Sequence, residues 1–279
     1  MRLGVHCSIR DSFMTALEEA EQLGCESLQI FTHSPRLWRG ARISQEDADR
    51  FHKERLRLDL HPLVVHTPYL PNLCTADEAL YKMSYHALLT DLETCERIRT
   101  DFLVIHPGSY SESSTPADGL ERLTTALNRA LQTEGKTVIL IENMAGGGRR
   151  MGDRFEQVAE MIRGIENKSR IGLCLDTAHT LGSGYPFSNA DEVRQTLDDV
   201  DRLIGLSNLK VIHANDSRAE RGTHRDLHEH IGQGHIGRDA FRALLADPRL
   251  AEVAVILETP KEPPGSDALN LGELRKLTT

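Results

Sequence analysis

No part of this 279-residue sequence approaches the roughly 20 consecutive apolar residues of a membrane-spanning helix, so no membrane partner is expected. The opening residues, Met1-Arg2-Leu3-Gly4-Val5-His6-Cys7, are too few and too polar for a secretory signal and read as a first strand. Cysteine is sparse. Five residues, an odd number at irregular spacing with no Cys-x-x-Cys, point to reduced thiols in a cytoplasmic setting. Positive charge is also short: 33 Lys and Arg against 42 Asp and Glu leave a net charge of −9. That balance argues against a protein that grips nucleic acid by bulk electrostatics. There is no internal repeat, no low-complexity tract and no linker that would divide the chain, so one domain over residues 1–279 is expected.

What is present is an alternation. Strand-like runs at residues 2–7, 27–31, 63–66, 102–106, 137–142, 171–176, 209–213 and 254–258 are separated by helix-like runs. Eight such units predict parallel pairing and an α/β fold, the (β/α)8 TIM barrel, which typically needs about 250 residues. An apolar content of 39% is enough for a core of that size, and 27% charged residues of both signs argue against disorder. Helix punctuation agrees. Residues 11–23 read as a helix closed by Gly24, and Ser44 with Asp47 and Thr75 with Glu78 read as N-terminal caps, the second resembling a capping box. Leu80, Met83, Ala87, Leu88, Cys95 and Ile98 share a helical face. The connections after strands, residues 32–42, 67–75, 107–116, 143–152, 177–189 and 214–237, are long and rich in Gly, Pro, Arg and His. A barrel elaborated on the C-terminal side of its strands carries its site there.

Strands three to eight end, in order, on His66, His106, Glu142, Asp176, His213 and Glu258. His, Asp and Glu together make up about one residue in five, so six in succession would arise by chance on the order of once in ten thousand. In a parallel barrel these side chains converge on one rim. His179 follows Asp176 by three residues, and Asp226-Leu227-His228 presents two polar side chains on one face of an extended chain.

Three chemistries use such residues. A carboxylate pair could act as acid and base on a sugar, but the histidines would then be superfluous. Nucleophilic catalysis needs a serine or cysteine beside a base, and neither Cys7 nor Cys174 has that setting. Metal binding uses every residue. Imidazole and carboxylate without thiolate suit zinc, with manganese or iron as alternatives, and nine ligands suit two or three ions. Clustered metals sharing a carboxylate are a recurring device for phosphate-ester cleavage.

The plainer reading of any single one is a hydrogen-bonded core histidine, so the case rests on the set. His6, His33, His52, His61, His86, His224, His230 and His235 are read as ordinary or supporting residues, with His6 and His230 the first to reconsider. Gly146-Gly147-Gly148 before Arg149-Arg150 lacks the Lys-Ser/Thr of a P-loop and reads as a flexible loop. Arg36, Arg39 and Arg42 around Trp38 fit a solvated face; contact with DNA is the sharper alternative.

Several segments carry a resemblance. Phe31-Thr32 with Arg36 and Trp38-Arg39, His66-Thr67-Pro68-Tyr69-Leu70-Pro71-Asn72-Leu73 and His106-Pro107-Gly108-Ser109 resemble the endonuclease IV family. So do Ile141-Glu142-Asn143, Asp176-Thr177-Ala178-His179 with Gly184-Tyr185, and His213-Ala214-Asn215-Asp216-Ser217. The likeness continues through Asp226-Leu227-His228, Gly232-Gln233-Gly234-His235-Ile236-Gly237 and Leu257-Glu258-Thr259-Pro260. The chain departs from the pattern at His33 and Pro35, around His230, and in the Pro-rich residues 261–265.

The resemblance implies a zinc-dependent apurinic/apyrimidinic endonuclease with three ions. His66, His106 and Glu142 would hold one; Glu142 would bridge to a second on Asp176, His213 and Glu258; His179, Asp226 and His228 would hold the third. It further implies hydrolysis on the 5′ side of an abasic site in double-stranded DNA, leaving a 3′-hydroxyl, and removal of 3′-blocking groups. The nucleophile would be a hydroxide bridging two ions, with Glu142 and Glu258 catalytic and Glu258 orienting it. Arg36, Tyr69 and Leu70 would enter the DNA, and a monomer is implied. Three divalent ions would offset six of the negative charges, and Arg36, Arg39, Arg149, Arg150, Arg218, Arg221 and Arg225 fall in predicted rim loops. A metal-dependent sugar isomerase or epimerase on the same barrel is the rival enzyme, and a non-cutting abasic-site binding protein the rival outside catalysis.

Overall fold

The computed structural model describes residues 1–10, 12–38 and 43–278. Its strands are β1 (Arg2–His6), β2 (Ser27–Phe31), β3 (Leu63–His66), β4 (Phe102–Ile105), β5 (Val138–Glu142), β6 (Ile171–Asp176), β7 (Leu209–His213), β8 (Asp216–Ser217), β9 (His228–Glu229) and β10 (Ala254–Leu257). All but β8 and β9 close into a barrel of parallel strands, in the order β1-β10-β7-β6-β5-β4-β3-β2. The eight expected strands are the eight barrel strands. Cys7, His106, Thr137 and Glu258, which the sequence places inside strands, each stand one residue outside.

Helices α1 (Phe13–Leu23), α2 (Gln45–Arg57), α3 (Glu78–Ile98), α4 (Pro116–Ala130), α5 (Phe155–Arg163), α6 (Thr177–Ser183), α7 (Ala190–Leu203), α8 (Gly237–Ala246) and α9 (Ser266–Leu277) occupy the connections. Gly24 ends α1 at φ 66°, a left-handed position that glycine takes without steric cost, and Ser44 caps α2 through the Asp47 amide. Two expectations need correction. Asp77, rather than Thr75, caps α3: its carboxylate accepts from the amides of Ala79 and Leu80, while Thr75 accepts from the Asp77 amide outside the helix. Met83 is 46% exposed, because the buried stripe of α3 runs through Ser84, Asp91 and Leu92 together with Ala87, Leu88, Cys95 and Ile98. The expected start of α1 at Asp11 lies outside the described residues; Ser12 is its cap.

Apolar side chains fill two shells. The larger lies between barrel and helices and includes Leu17, Phe51, Leu88, Leu127, Val158, Leu197, Phe241 and Leu274. Inside the barrel Val64, Val104, Leu140, Cys174, Val211, Ala254 and Ile256 form a plug. Each fully buried Val, Leu or Ile contributes about 1.5–3 kcal/mol, so the plug also gives the polar layer above it a stiff floor. All five cysteines are buried and unpaired. Among the described residues no helix is long and apolar enough to cross a membrane.

Candidate metal centre

Strand geometry explains why the polar strand ends meet. Side chains two residues apart point to the same face. Val64 precedes His66 by two, Leu140 precedes Glu142, Cys174 precedes Asp176 and Val211 precedes His213, so each polar group stands directly above a plug residue. Val104 with His106 and Ile256 with Glu258 keep the same offset just beyond their strands.

Glu142, 1% exposed, is the hub. Its Oε2 lies 3.0 Å from His66 Nε2 and 3.1 Å from His106 Nε2. Its Oε1 lies 3.1 Å from His213 Nδ1 and 3.3 Å from His179 Nδ1. Glu258 Oε2 is 3.2 Å from His213 Nδ1, and Asp176 Oδ2 is 3.6 Å from His228 Nε2. Asp226 spans His179 Nε2 and His228 Nε2, each at 3.2 Å. All nine side chains singled out from the sequence therefore belong to one cluster. Within it, ligand atoms of three sets lie within 4.8 Å of one another: His66, Glu142 and His213; Asp176, His179 and His228; and Glu142, Asp176, His213 and Glu258. His106 and Asp226 fall outside those sets and join through their contacts with Glu142 and with His179 and His228.

The spacing from Asp176 to His179 has a local cause. Asp176 is the N-cap of α6, its Oδ1 accepting the His179 amide at 2.7 Å. What reads as a turn at Thr177-Ala178 is thus the first turn of a helix. The expected long loop at residues 214–237 likewise contains the β8–β9 ribbon, in which Ser217 pairs with His228. Asp216 pins this ribbon to the next turn by accepting the amides of Gly232, Ile236 and Gly237.

Backbone carbonyls orient the imidazoles. His66 Nδ1 donates to the Thr67 carbonyl at 2.6 Å, His179 Nδ1 to Asn143 at 2.9 Å and His228 Nδ1 to Glu258 at 3.0 Å. A carbonyl only accepts, so Nδ1 carries hydrogen in each and Nε2 is left to bind a cation. Among the described residues, Nε2 of His179 and of His228 are buried without a hydrogen-bond partner, although Asp226 is close to both. Unpartnered imidazole nitrogens beside carboxylates, with no thiolate among them, fit divalent metal ions of the zinc, manganese or iron type.

Without an ion the cluster holds protons. Burial pushes the Glu142 carboxyl up, but His213, His106 and His179 outweigh it and hold it well below the usual carboxylate range. Burial opposes charge on His213 and His179 also, yet their neighbours, Cys174, Glu258 and Glu142 for the first and Asp176, Asp226 and Glu142 for the second, raise both well above 6.5. His228 is raised to about 9 against its burial by Asp176 and Asp226. Metal must displace these protons to bind.

Tyr69 and Leu70 border the cluster. With His106, Gly108, Ser109, Gly146, Arg150 and Asp226 they line a cavity of about 500 Å³ that opens at the rim. Tyr69 is 65% exposed, its ring edge-on to Phe31 at 6.4 Å. Arg36 is exposed on the loop after β2, and Arg149, Arg150, Arg218, Arg221 and Arg225 are exposed on their rim loops; Arg39 and Arg42 lie outside the described residues. The glycine run has a defined shape. Gly146, Gly147 and Gly148 all have positive φ, and a Cβ on Gly146 would stand 2.6 Å from the Asp153 carboxylate. A larger cavity of about 830 Å³, bordered by Asp191, Arg194, Asp239 and Arg242, lies between α7 and α8 on the outer ring, away from the strand ends.

Residues 17–276 match the family described as the xylose isomerase-like TIM barrel. The chain is similar to the probable endonuclease 4 of Chloroflexus aurantiacus, 39% identical over 279 residues that cover 99% of this chain and 98% of the relative. It is also similar to the solved endonuclease IV from Thermus thermophilus, at a TM-score of 0.88 and 36% identity over 99% of this chain and 98% of that one. The chain belongs to the endonuclease IV family. A D-tagatose 3-epimerase-like protein shares the fold at a TM-score of 0.75, covering 99% of this chain and 96% of its own, but at 22% identity. As an endonuclease IV family member the protein is a nuclease.

Three residues of this candidate centre escape a reading of strand ends. Asn143 accepts the Asp176 amide at 2.8 Å, and Asn215 donates to Asp176 Oδ2 at 2.7 Å while accepting the Glu258 amide at 2.9 Å. Gln29, fully buried in β2, contacts both His213 and Glu258. A glutamine alone in an otherwise apolar stretch of strand is the signal that could have drawn attention to it. Of the two histidines held in reserve, His6 does reach the centre, its Nδ1 3.5 Å from Glu258 Oε1. His230 does not; its ring meets Asn270 of α9.

Proposed function

We propose that this protein is an apurinic/apyrimidinic endonuclease that hydrolyses the phosphodiester 5′ to an abasic site in double-stranded DNA, leaving a 3′-hydroxyl, and that it also removes 3′-blocking groups. One observation carries the reading: a single buried carboxylate, Glu142, touches four imidazoles at the base of an open, arginine-bordered rim. His66, His106 and Glu142 would hold one zinc ion, Glu142, Asp176, His213 and Glu258 a second, and His179, Asp226 and His228 a third. Bound ions supply a lowered pKa for water and positive charge for the phosphate, the two requirements of ester hydrolysis at neutral pH.

The chain's own residues do the rest. Glu142, with one oxygen toward His66 and His106 and the other toward His213 and His179, would join two of the proposed sites. Glu258, held by its amide to Asn215, faces the same space and is suited to orient the attacking water. Tyr69 and Leu70 stand beside the cavity and Arg36 on the neighbouring loop, positioned to fill the gap left by an absent base. Extrusion of a sugar is cheapest where no base pair must be broken.

The test is incision of a duplex carrying one abasic analogue, before and after chelator treatment, with zinc and manganese restored separately. Single cuts 5′ to the lesion, lost with chelator and recovered with metal, are expected. Binding without incision by the metal-loaded protein, or ketose epimerisation in its place, overturns the reading.

A further inference from the structure

The buried amide of Gln29 has two contacts with the cluster and one with His6. Its Oε1 lies 2.8 Å from His213 Nε2, and its Nε2 lies 2.5 Å from Glu258 Oε1 and 3.0 Å from His6 Nδ1. A primary amide has one accepting and one donating end, so these contacts are compatible in one orientation only. With the oxygen toward His213, Nε2 of that imidazole must carry hydrogen, and Nδ1, which faces Glu142 and Glu258 at 3.1 and 3.2 Å, is the nitrogen that gives up its proton when a metal binds. With the nitrogen toward Glu258, Oε1 of that carboxylate is occupied and Oε2, on the His213 side, is left to bind. Turning the amide over would set its oxygen against a carboxylate and its N–H against the imidazole, forcing hydrogen onto the ligating nitrogen. His6 opposes that turn by accepting the second amide hydrogen. The His6 ring is itself held, 4.3 Å from Phe31, and its backbone carbonyl takes the Lys261 ammonium at 2.8 Å.

We infer that Gln29 is a positioning residue for the metal centre: locked by His6, it sets the His213 tautomer and the free oxygen of Glu258, and so selects the two ligand atoms that bind one ion. The inference rests on the proposed metal centre and adds to it residues from β1 and β2, the two barrel strands that contribute none of the nine side chains. The nearest non-polar match in length is methionine, which can neither accept from His213 nor donate to Glu258. Groups that hold a metal ligand from behind typically change metal affinity by about 10–100-fold.

The experiment is zinc titration of the metal-free full-length protein against a competing chelator, on wild type, Q29M and H6L, with circular dichroism to establish that each is folded. In wild type and Q29M, ¹⁵N spectra of the zinc-loaded imidazoles are compared. Q29M is expected to bind one zinc about 10–100-fold more weakly than wild type with the remaining ions unchanged, and to lose the hydrogen-bonded His213 Nε2–H resonance. H6L keeps Gln29 and is expected to weaken the same ion by a smaller factor. Unchanged zinc affinity in folded Q29M overturns the role of Gln29, and a retained Nε2–H signal overturns the tautomer argument. If Q29M does not fold, H6L decides alone, and unchanged affinity there overturns the lock. Failure of wild type to bind zinc would instead overturn the metal centre, leaving the two failures distinguishable.

Discussion

At the scale of single residues, Glu142 has the most demanding place. It is buried, it is charged, and four imidazoles compete for its two oxygens. Replacing it with glutamine keeps the shape and removes the charge. Glu142→Gln is expected to lower incision by more than about 100-fold, beyond the 10–100-fold typical of groups that merely support a ligand. Zinc content, measured by mass spectrometry, should fall for two ions together; full activity with full metal content would exclude the bridging role. The protons on the cluster set a second expectation. A histidine raised to about 9 in the folded state stabilises that state fully below about 6.5, its unfolded value, and the contribution is lost as pH rises through 9. The melting temperature of metal-free protein should therefore fall from about pH 7 to about pH 9.5, while zinc affinity rises over the same interval because fewer protons compete. Differential scanning fluorimetry with and without chelator checks both signs; a metal-free melting temperature that rises would exclude the imidazolium–carboxylate account.

At the scale of elements, the junction of β6 and α6 does two jobs with one carboxylate. Asp176 Oδ1 caps the helix and Oδ2 faces His228, while the helix carries His179 back over Glu142. Because each helical residue turns the chain by about 100°, one alanine inserted after Thr177 swings His179 away from its neighbours although every ligand is retained. Incision and zinc stoichiometry are both expected to drop, and an active insertion variant would show that the spacing is not needed. The end of β6 was legible in the sequence because aliphatics stop at an acid. The helix that starts there was not, since Thr177-Ala178-His179 carries no apolar period long enough to register, and the cap becomes visible only when Asp176 is seen to accept the His179 amide. The cap of α3 differs from the expectation for a related reason. Thr75 and Asp77 are both good cap residues, and the path of the chain out of β3 decides between them.

At the scale of the molecule, a net charge of −9 coexists with a rim bearing Arg36, Arg149, Arg150, Arg218, Arg221 and Arg225, all exposed. Distribution, rather than the total, governs an encounter with a polyanion. The exposed Tyr69 lies on that rim beside the cluster and away from its ligand contacts. Tyr69→Ala is expected to weaken binding of abasic duplex about 10-fold, within the roughly 1–3 kcal/mol of an aromatic stacked on a base, and to leave zinc content unchanged. Fluorescence anisotropy with parallel metal analysis tests this; loss of metal would make Tyr69 a structural residue.

The sequence by itself determined the barrel, the eight strands and the nine clustered side chains, because each is written in a local pattern. Aliphatic runs mark buried strands, alternation over two residues fixes the inward face, and the C-terminal side of a parallel barrel has one rim on which such faces end. The tertiary structure alone decided which side chains share an atom's space: that Glu142 meets four histidines, that His106 and Asp226 sit at the margins of the tight sets, and that Gln29 backs His213 from across the barrel. Those contacts join residues up to 229 positions apart, as Gln29 and Glu258 are. They depend on strand register and barrel closure, which no local pattern records.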